Sequence, residues 1–443
     1  MLYSRHRMIL KGQKYLTNNK MIQRAKSLFP GLSNGEFGII DQSSVPIIQS
    51  GDGARIKDSN GKAYIDMTMA WGSVLIGHAN PVIREAAFNA AKSGTNFAAL
   101  NTQMVELGEK IASISPCVEK IRFVASGTEA TMLCLRLARS ITGKNKILKF
   151  EGAYHGQHPE GIASMVALND RSSAKANSSG TGAPWTKENV VVAPFNDLES
   201  TRSIIKENAS DLAAVIVEPL HRCLKPVDGF LSGLRQITQD SGVILIFDEV
   251  VTGFRLALGG AQEYYGVKPD LVAYGKALGG GFPIGAFGGS EEIMDGVNEN
   301  RYSKLNYTWS ASTTGGNPVS CAAAIATINI LSEQQSYEQL HRLGGDFREQ
   351  ITEILASEDE PFQVLGDGPL AQVVFTDKPV NNSRDWAVAN RKKGHQLMQQ
   401  LIKEGVFLNP MGTKMYLSLS HGIKEMEEFF DKFACALKSI NKL

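Results

Sequence analysis

Cysteine is scarce in this sequence, and no two cysteines stand at the spacing of a metal-ligand or redox pair. The 443 residues include five cysteines, and none of them belongs to a Cys-x-x-Cys motif. Disulfide frameworks occur in short secreted chains that carry a dense, usually even set of cysteines. The sequence therefore excludes a fold that is stabilised by disulfides and favours a reducing compartment. We also expect no metal site.

Long apolar runs and an excess of charge are also missing. No segment approaches the ~18 consecutive apolar residues that span a bilayer, and the apolar run at residues 8–10 is too short for the core of a signal peptide. Lys and Arg number 46 against 45 Asp and Glu, without a basic cluster. A net charge of +1 gives no attraction to nucleic acid or to an anionic membrane. We therefore expect a cytoplasmic protein that has neither of these as a partner.

Short apolar runs alternate with helical patterns through the middle of the chain. The runs lie at residues 121–124, 146–150, 190–193, 213–218, 243–248, 271–274 and 284–289. Apolar, β-branched runs of this length are typical of strands that are buried on both faces. The alternation predicts an α/β fold with a mostly parallel, seven-stranded sheet that helices cover on both sides.

The sequence divides into three parts. Residues 1–75 contain alternating stretches around a turn at residues 58–62, which predicts a hairpin, and we expect this segment to contribute to a small domain. Residues 76–331 hold the predicted sheet and form the large domain. Beyond them, polar helices alternate with short strands such as residues 415–420. Residues 332–443 are therefore predicted to form a smaller α+β domain.

Small polar residues at 172–185 interrupt the large domain. A loop of this length inside a compact domain is usually functional or disordered. We expect a mobile flap near the functional site, and an idle surface loop is the alternative.

Two of the predicted strands end in residues that carry chemistry. Asp248 closes the run 243–248, and Lys276 follows the run 271–274 between small residues. Ligands of open α/β sheets bind outside the carboxyl ends of the strands, so we expect both side chains at one rim. An amine and a carboxylate together suit an aldehyde cofactor with a basic ring nitrogen, and pyridoxal phosphate is such a cofactor. Glu249 is expected to join a salt bridge rather than to act in catalysis.

A phosphate site is predicted where the strand at residues 121–124 leads into a helix. Ser126, Gly127 and Thr128 open that helical pattern. A helix N-terminus offers unpaired N–H groups and the positive end of the helix dipole, and glycine lets the backbone approach an anion closely. The alternative is an ordinary cap with Glu129 in the first turn. The acid and the lysine at the same rim favour the phosphate site.

Three further residues are candidates for the same site. Thr313 lies in a second run of small residues that is suited to phosphate. Tyr154 follows a strand end and is suited to stacking on a flat ring, with a loop aromatic that covers the core as the alternative. Glu218 is an acid at another strand end. Because a buried carboxylate needs a partner, Glu218 is either structural or paired with an arginine such as Arg222 or Arg255.

Together these motifs resemble the class III pyridoxal-phosphate aminotransferases, and within them glutamate-1-semialdehyde 2,1-aminomutase and its transaminase relatives. The resemblance runs from about residue 30 to residue 331 and more weakly beyond. Its clearest pieces are RFVASGTEA at 122–130, KFEGAYHG at 149–156, IFDEVVTGFR at 246–255, GKA at 275–277 and GGNP at 315–318.

The resemblance implies a type I fold and a homodimer with active sites at the subunit interface. It implies that Lys276 is the Schiff-base lysine and that Asp248 is the partner of the pyridine nitrogen. The other implied cofactor contacts are Val250 and Tyr154 on the two faces of the ring, Ser126, Gly127 and Thr128 at the phosphate, and Thr313 from the neighbouring subunit.

The sequence departs from the aminomutase pattern where substrate would bind. No arginine follows the Pro-Gly segment at residues 30–34, and His221-Arg222-Cys223 stands where Gly-Asn often follows Glu-Pro. Lys414 stands where some transaminase relatives carry an arginine. We therefore expect an aminotransferase that moves an amino group from a small-molecule donor to a keto or aldehyde acceptor, with an intramolecular aminomutase as the alternative. The candidate substrate residues are Trp71, His155, Glu218 and Arg222.

Overall fold

The computed structural model describes residues 18–35, 46–165, 176–178, 180–304, 306–357, 360–408 and 412–441. The predicted flap at 172–185 falls partly outside these residues. Of its described part, Asn177 is tied to Ser164 by two hydrogen bonds, from Ser164 N to the Asn177 carbonyl and from Asn177 N to Ser164 Oγ. A mobile flap therefore stays a prediction.

A small sheet lies near the start of the described chain, after the helix Asn18–Lys26. Its strands β1 (Ile48–Asp52), β2 (Arg55–Asp58) and β3 (Ala63–Asp66) pair in antiparallel order. The carboxylate of Asp58 accepts hydrogen bonds from the backbone N–H groups of Asn60 and Lys62, which closes the turn between β2 and β3. The predicted hairpin is confirmed.

The central sheet has seven strands, and the predicted α/β fold class is confirmed. The strands are β4 (Lys120–Val124), β5 (Lys146–Phe150), β6 (Val190–Ala193), β7 (Leu212–Val217), β8 (Ile244–Asp248), β9 (Leu271–Tyr274) and β10 (Gly285–Gly289). In space the order is β4-β10-β9-β8-β7-β5-β6, and β10 alone runs antiparallel to the other six strands. The inner strands are buried along their whole length because both faces are covered by helices.

Helices cover both faces of this sheet. One face packs against the helix Gly127–Thr142, whose apolar side chains form one core with Ile216, Ile246 and Ala273 of the sheet. The helix Pro318–Leu331 is buried almost all round because it packs against two other helices, Pro81–Ala91 and Thr102–Ile114. Further helices before residue 331 are Asn18–Lys26, Met69–Gly72, Pro159–Ile162, Thr186–Asn189, Leu198–Asn208, Phe230–Asp240, Gly260–Tyr265, Glu291–Met294 and the 3-10 helix Lys276–Gly279.

The C-terminal region joins a second small sheet to long helices. Strand β12 (Leu370–Val374) lies between β11 (Gln363–Leu365) and β14 (Lys414–Tyr416). The strand predicted at 415–420 is wrong in extent: pairing ends at Tyr416, because Ser418 turns away and donates its N–H to His421 Nδ1. The helices of this region are Gln335–Ala356, Ser383–Ala387, Arg391–Lys403 and Ile423–Ile440.

The first and last parts of the chain share structure. Strand β13 (Val406–Phe407) pairs in parallel with β3 of the N-terminal sheet. Ile65 of β3 and Phe429 of the last helix belong to one buried apolar cluster. The domain boundaries at residues 75 and 331 remain a prediction. Among the described residues, none of the helices has the length and apolarity that crossing a bilayer requires.

Candidate active site

The carboxyl ends of β8 and β9 bring the predicted lysine and acid to one rim. Asp248 is the last residue of β8 and lies opposite Ala273 of β9, three residues before Lys276. Burial lowers the pKa of the Lys276 amine, while Tyr416 and Asp248 act in the opposite direction. Lys276 has a left-handed backbone with φ of 43°, a strained conformation that recurs at functional sites in non-glycine residues.

A histidine holds the carboxylate of Asp248. His155 Nδ1 lies 2.7 Å from Asp248 Oδ2, while Asp248 Oδ1 accepts the N–H of Val250 at 3.0 Å. Because the carboxylate only accepts, Nδ1 carries the proton. Burial lowers the pKa of the imidazole, although the hydrogen bond to Asp248 opposes this. The side chain of His155 is fully buried and aimed at Asp248, which favours a role in positioning over contact with substrate.

The predicted helix N-terminus lies beside the same rim. Ser126 Oγ accepts the N–H of Glu129, so the ordinary cap is present, and it leaves the N–H groups of Gly127 and Thr128 without an acceptor in the described part of the chain. A Cβ on Gly127 would come within 2.8 Å of both methyl groups of Val250. Glycine at 127 therefore lets the helix end pack directly against Val250, and the N–H groups of Gly127 and Thr128 are the part of this helix end that could bind a phosphate group.

Glu218 fixes the backbone of two further candidates. Its carboxylate accepts the N–H of Tyr154 at 2.9 Å and the N–H of Arg222 at 3.1 Å. Burial alone would raise the pKa of Glu218, but the charge of Arg222, the nearby histidines and the hydrogen bond from the N–H of Tyr154 outweigh it and lower that pKa. The guanidinium of Arg222 lies 5.9 Å from the centre of the Tyr154 ring. Glu218 therefore positions Tyr154 and Arg222 through their backbone N–H groups.

A tyrosine that the sequence analysis missed completes this side of the site. The ring of Tyr416 lies under two cations, with Lys414 Nζ at 4.9 Å and Arg255 Cζ at 5.6 Å from its centre. Lys414 Nζ also donates to the carbonyl of Arg222 at 2.8 Å. Tyr416 and Lys414 both act on the pKa of Lys276, in opposite directions. No local pattern in the sequence links Tyr416, at the end of β14, to the central sheet.

Trp71 stands in a strained turn. Met69, Ala70, Trp71 and Gly72 are four consecutive residues with positive φ. L-residues pay roughly 1–2 kcal/mol each for this conformation. The carbonyl of Gly72 accepts a hydrogen bond from Arg255, and a Cβ at Gly72 would strike the ring of Tyr416. The turn therefore packs on the Tyr416 side of the site, and contact of Trp71 with substrate stays a prediction.

Thr313 and Glu249 lie apart from the rim. Thr313 is exposed, and its carbonyl accepts a hydrogen bond from Asn96. The expected salt bridge of Glu249 is not formed within the described residues: its carboxylate accepts from the N–H groups of Ala261 and Gln262 and from the Thr252 hydroxyl. Uncharged donors satisfy this buried acid, and burial raises its pKa. Glu249 thus has a structural role, as predicted, but uncharged hydrogen-bond donors take the place of the predicted salt-bridge partner.

The assembled groups fit the expected cofactor. An amine and a carboxylate meet at one rim, and a helix N-terminus lies beside them, where the N–H groups of Gly127 and Thr128 have no acceptor among the described residues. Within the described residues no cluster of His, Cys, Asp and Glu is arranged to hold a metal ion.

Known proteins resemble this chain over almost its whole length. The sequence model of the family Aminotransferase class-III matches residues 40–437. A glutamate-1-semialdehyde 2,1-aminomutase of Methanococcoides burtonii is 38% identical over 394 residues, 88% of this chain and 92% of that protein. A protein of Staphylococcus haemolyticus named glutamate-1-semialdehyde 2,1-aminomutase 2 is 36% identical over 425 residues, 94% of this chain and 97% of that one.

Solved structures share the fold. An omega-transaminase from Sphaerobacter thermophilus has a TM-score of 0.89 and 31% identity, and the match covers 97% of this chain and 99% of that one. A glutamate-1-semialdehyde aminomutase from Pseudomonas aeruginosa, in complex with PMP, has a TM-score of 0.83, and the match covers 95% of this chain and 94% of that one. Its 21% identity supports the fold alone.

Proposed function

The chain belongs to the class III aminotransferases, a family of pyridoxal-phosphate enzymes, and from this premise we propose that it moves an amino group within one substrate, as an aminomutase does. The observation that carries the proposal is an identity of 36–38% to proteins named aminomutases, across about nine-tenths of both chains. This reverses the order expected from the sequence, which placed transfer between two molecules first.

The chain's own residues divide the work at this site. We assign to Lys276 the covalent attachment of the cofactor and, when its amine is free, the movement of a proton at the substrate carbon. Burial favours the neutral amine that such a base requires. Asp248, held by His155, keeps a proton on the cofactor's ring nitrogen, and pyridoxal phosphate supplies an electron sink when bound. Ser126, Gly127 and Thr128 bind the phosphate.

Two side chains enclose the cofactor ring in this proposal. Val250 lies against one face and Tyr154 against the other. Val250 packs against Gly127, and the N–H of Tyr154 is held by the carboxylate of Glu218. Both residues are partly exposed, as side chains that face a ligand should be.

A count of product per active site separates the two reactions. Enzyme loaded with pyridoxamine phosphate is mixed with excess glutamate-1-semialdehyde and no other amine. An aminomutase is expected to form many product molecules per site, because each turnover returns the amino group to the protein-bound cofactor. Product that stops at one molecule per site, and resumes when an amine donor is added, would contradict the proposal.

Transfer between two molecules is the second candidate, and the positive charge beside Tyr154 favours it. Among the described residues no carboxylate lies within salt-bridge distance of the Arg222 guanidinium or the Lys414 amine. The Arg222 guanidinium donates to the carbonyl of Gly152 and lies beside Tyr154, and the charge of Lys414 acts on the pKa of Lys276. We assign these cations to the binding of a substrate carboxylate, because the arginine of the aminomutase pattern is missing after residues 30–34. The omega-transaminase of Sphaerobacter thermophilus, at 31% identity, supports the same reading.

Arg222 is expected to act in substrate binding. In Arg222→Met the KM for a carboxylate substrate should rise about 10- to 100-fold, because a hydrogen bond to a charged group is worth about 1.5–3 kcal/mol. The kcat should change less. The control Arg202→Met removes an exposed arginine from the helix Leu198–Asn208 and should leave KM unchanged. Steady-state kinetics on both variants makes the comparison, and an unchanged KM in Arg222→Met would remove Arg222 from the substrate site.

We propose that the protein acts as a homodimer and that Thr313 completes the phosphate site of the partner subunit. The support is an exposed apolar surface beside Thr313. Phe97 and Leu100 are exposed, Leu100 to 81%, and Asn96 in the same segment donates to the carbonyl of Thr313. Solitary subunits rarely leave such apolar surface open.

Mixed dimers test the shared site. As homodimers, the Thr313→Ala and Lys276→Ala variants are each expected to bind the cofactor weakly or to be inactive. In a mixed dimer the Thr313→Ala subunit keeps its lysine and receives Thr313 from the other subunit, so mixing should restore activity at one site. Mixing after unfolding and refolding, followed by activity and light scattering, measures this. A mixture no more active than its components would contradict the shared site.

A further inference from the structure

Lys149 is a buried lysine for which the proposed reaction has no use. It lies on β5 with 1% of its surface exposed, on the sheet face that packs against apolar side chains. Within the described part of the chain no carboxylate lies within salt-bridge distance of its amine. Lysine is almost never fully buried unless it is paired, so this position needs an explanation.

The amine has two hydrogen-bond partners, both backbone carbonyls. Lys149 Nζ donates to the carbonyl of Ala153 at 3.1 Å and to that of Gly161 at 2.8 Å. A neutral amine has two hydrogens and a charged one has three. Two acceptors therefore satisfy the neutral form, whereas the charged form would leave one buried donor unpaired among the described residues. Burial also lowers the pKa of Lys149 to about 7.

The two carbonyls lie at the two ends of the loop that carries Tyr154 and His155. The carbonyl of Gly161 also accepts the N–H of His155 at 3.1 Å. One amine thus joins the start of the loop, its end and the backbone of the histidine that holds Asp248. A chain of contacts runs from Lys149 through His155 to the carboxylate of the site.

We propose that Lys149 is a positioning residue that fastens the loop 153–161, so that His155 keeps Asp248 in place and Tyr154 keeps its ring toward the cofactor. The lysine touches neither substrate nor cofactor. Misplacement of a reacting group by about 1 Å can lower the rate about 10²-fold. Loss of the two hydrogen bonds from Lys149 should therefore lower the rate strongly. The proposal rests on the assigned roles of Asp248 and Tyr154.

Lys149→Met keeps the apolar stem and removes both donors. We expect kcat to fall about 10- to 100-fold with KM changed less than about 3-fold, since the loop positions groups rather than binding substrate. Apoenzyme titrated with pyridoxal phosphate should bind it about 10-fold more weakly, and the absorbance band of the bound cofactor should shift. Lys149→Gln keeps two N–H donors on one nitrogen and should recover part of the loss. The matched control is Lys146→Met on the same strand, whose amine bonds Asn208 away from the loop.

A double-mutant cycle separates positioning from a general structural role. In the background His155→Phe, adding Lys149→Met should reduce kcat by a smaller factor than it does in the wild-type enzyme. The contact between His155 and Asp248, one of the two through which Lys149 acts, is already lost there, and only the effect on Tyr154 remains. The proposal would be overturned if the loss of kcat in the double variant equals the product of the losses in the two single variants. It would also be overturned if Lys149→Met has the wild-type kcat and cofactor affinity. If Lys276→Ala and Asp248→Asn are inactive while Lys149→Met is normal, this inference alone fails and the proposed function stands.

Discussion

Lys276→Ala is expected to lower kcat by about 10⁴-fold or more, because it removes both the covalent anchor of the cofactor and the base that moves the proton. The absorbance of the lysine-bound cofactor should disappear, while free cofactor still binds through the helix N-terminus at Gly127 and Thr128. Stopped-flow and steady-state kinetics measure the rate, and absorbance spectroscopy measures the bound form.

The control for this variant is another lysine of the same region. Lys268 precedes β9 and is exposed, so Lys268→Ala should leave both the rate and the spectrum unchanged. Added methylamine should partly restore the rate of Lys276→Ala, since it supplies the missing amine in solution. A Lys276→Ala enzyme that works within tenfold of the wild-type rate would remove Lys276 from the mechanism.

Asp248→Asn is expected to lower kcat by about 10²- to 10³-fold with little change in fold. The asparagine keeps the shape and can still accept the N–H of Val250. It removes the negative charge that keeps a proton on the ring nitrogen, so the ring withdraws electrons less strongly. It also presents an amide to His155 Nδ1, which must then change its tautomer to accept.

Glu249→Gln is the informative comparison, because this acid is adjacent in sequence and also buried. Its partners are backbone and uncharged side-chain donors that hold residues 252–262. Glutamine can satisfy only some of them, so unfolding should become easier by about 1–3 kcal/mol while kcat per folded site stays within a few-fold. Asp248→Asn should therefore lose kcat and keep its thermal stability, whereas Glu249→Gln should lose thermal stability and keep its kcat. Thermal unfolding and steady-state kinetics on both variants make the comparison. A large loss of kcat in Glu249→Gln alone would exchange the assignments of the two acids.

The central sheet was predictable because its strands are continuous apolar runs. All seven predicted strands lie within one residue of those in the structure at each end; Glu218, predicted as the end of β7, lies just after it. Burial on both faces imposes this pattern locally, so no knowledge of distant contacts is needed. The rim residues followed from the same strands, since chemistry at a parallel sheet's carboxyl edge lies at strand ends.

What escaped prediction depends on contacts between distant segments. Tyr416 reaches the site only because β14 pairs with β12 and turns its ring under Arg255. Lys149 looks like an ordinary charge on a strand until the loop 153–161 supplies its two carbonyl acceptors. The left-handed turn at residues 69–72 also has no local signature, because only Gly72 among its four residues favours that backbone.

The covalent role of Lys276 can be measured directly. Holoenzyme is treated with sodium borohydride, which fixes the cofactor to the amine that holds it, and is then digested and sequenced by mass spectrometry. A phosphopyridoxyl group on Lys276, and on no other lysine, is the expected result. The same group on Lys149 or Lys414, or enzyme that releases all its cofactor unmodified, would contradict the account.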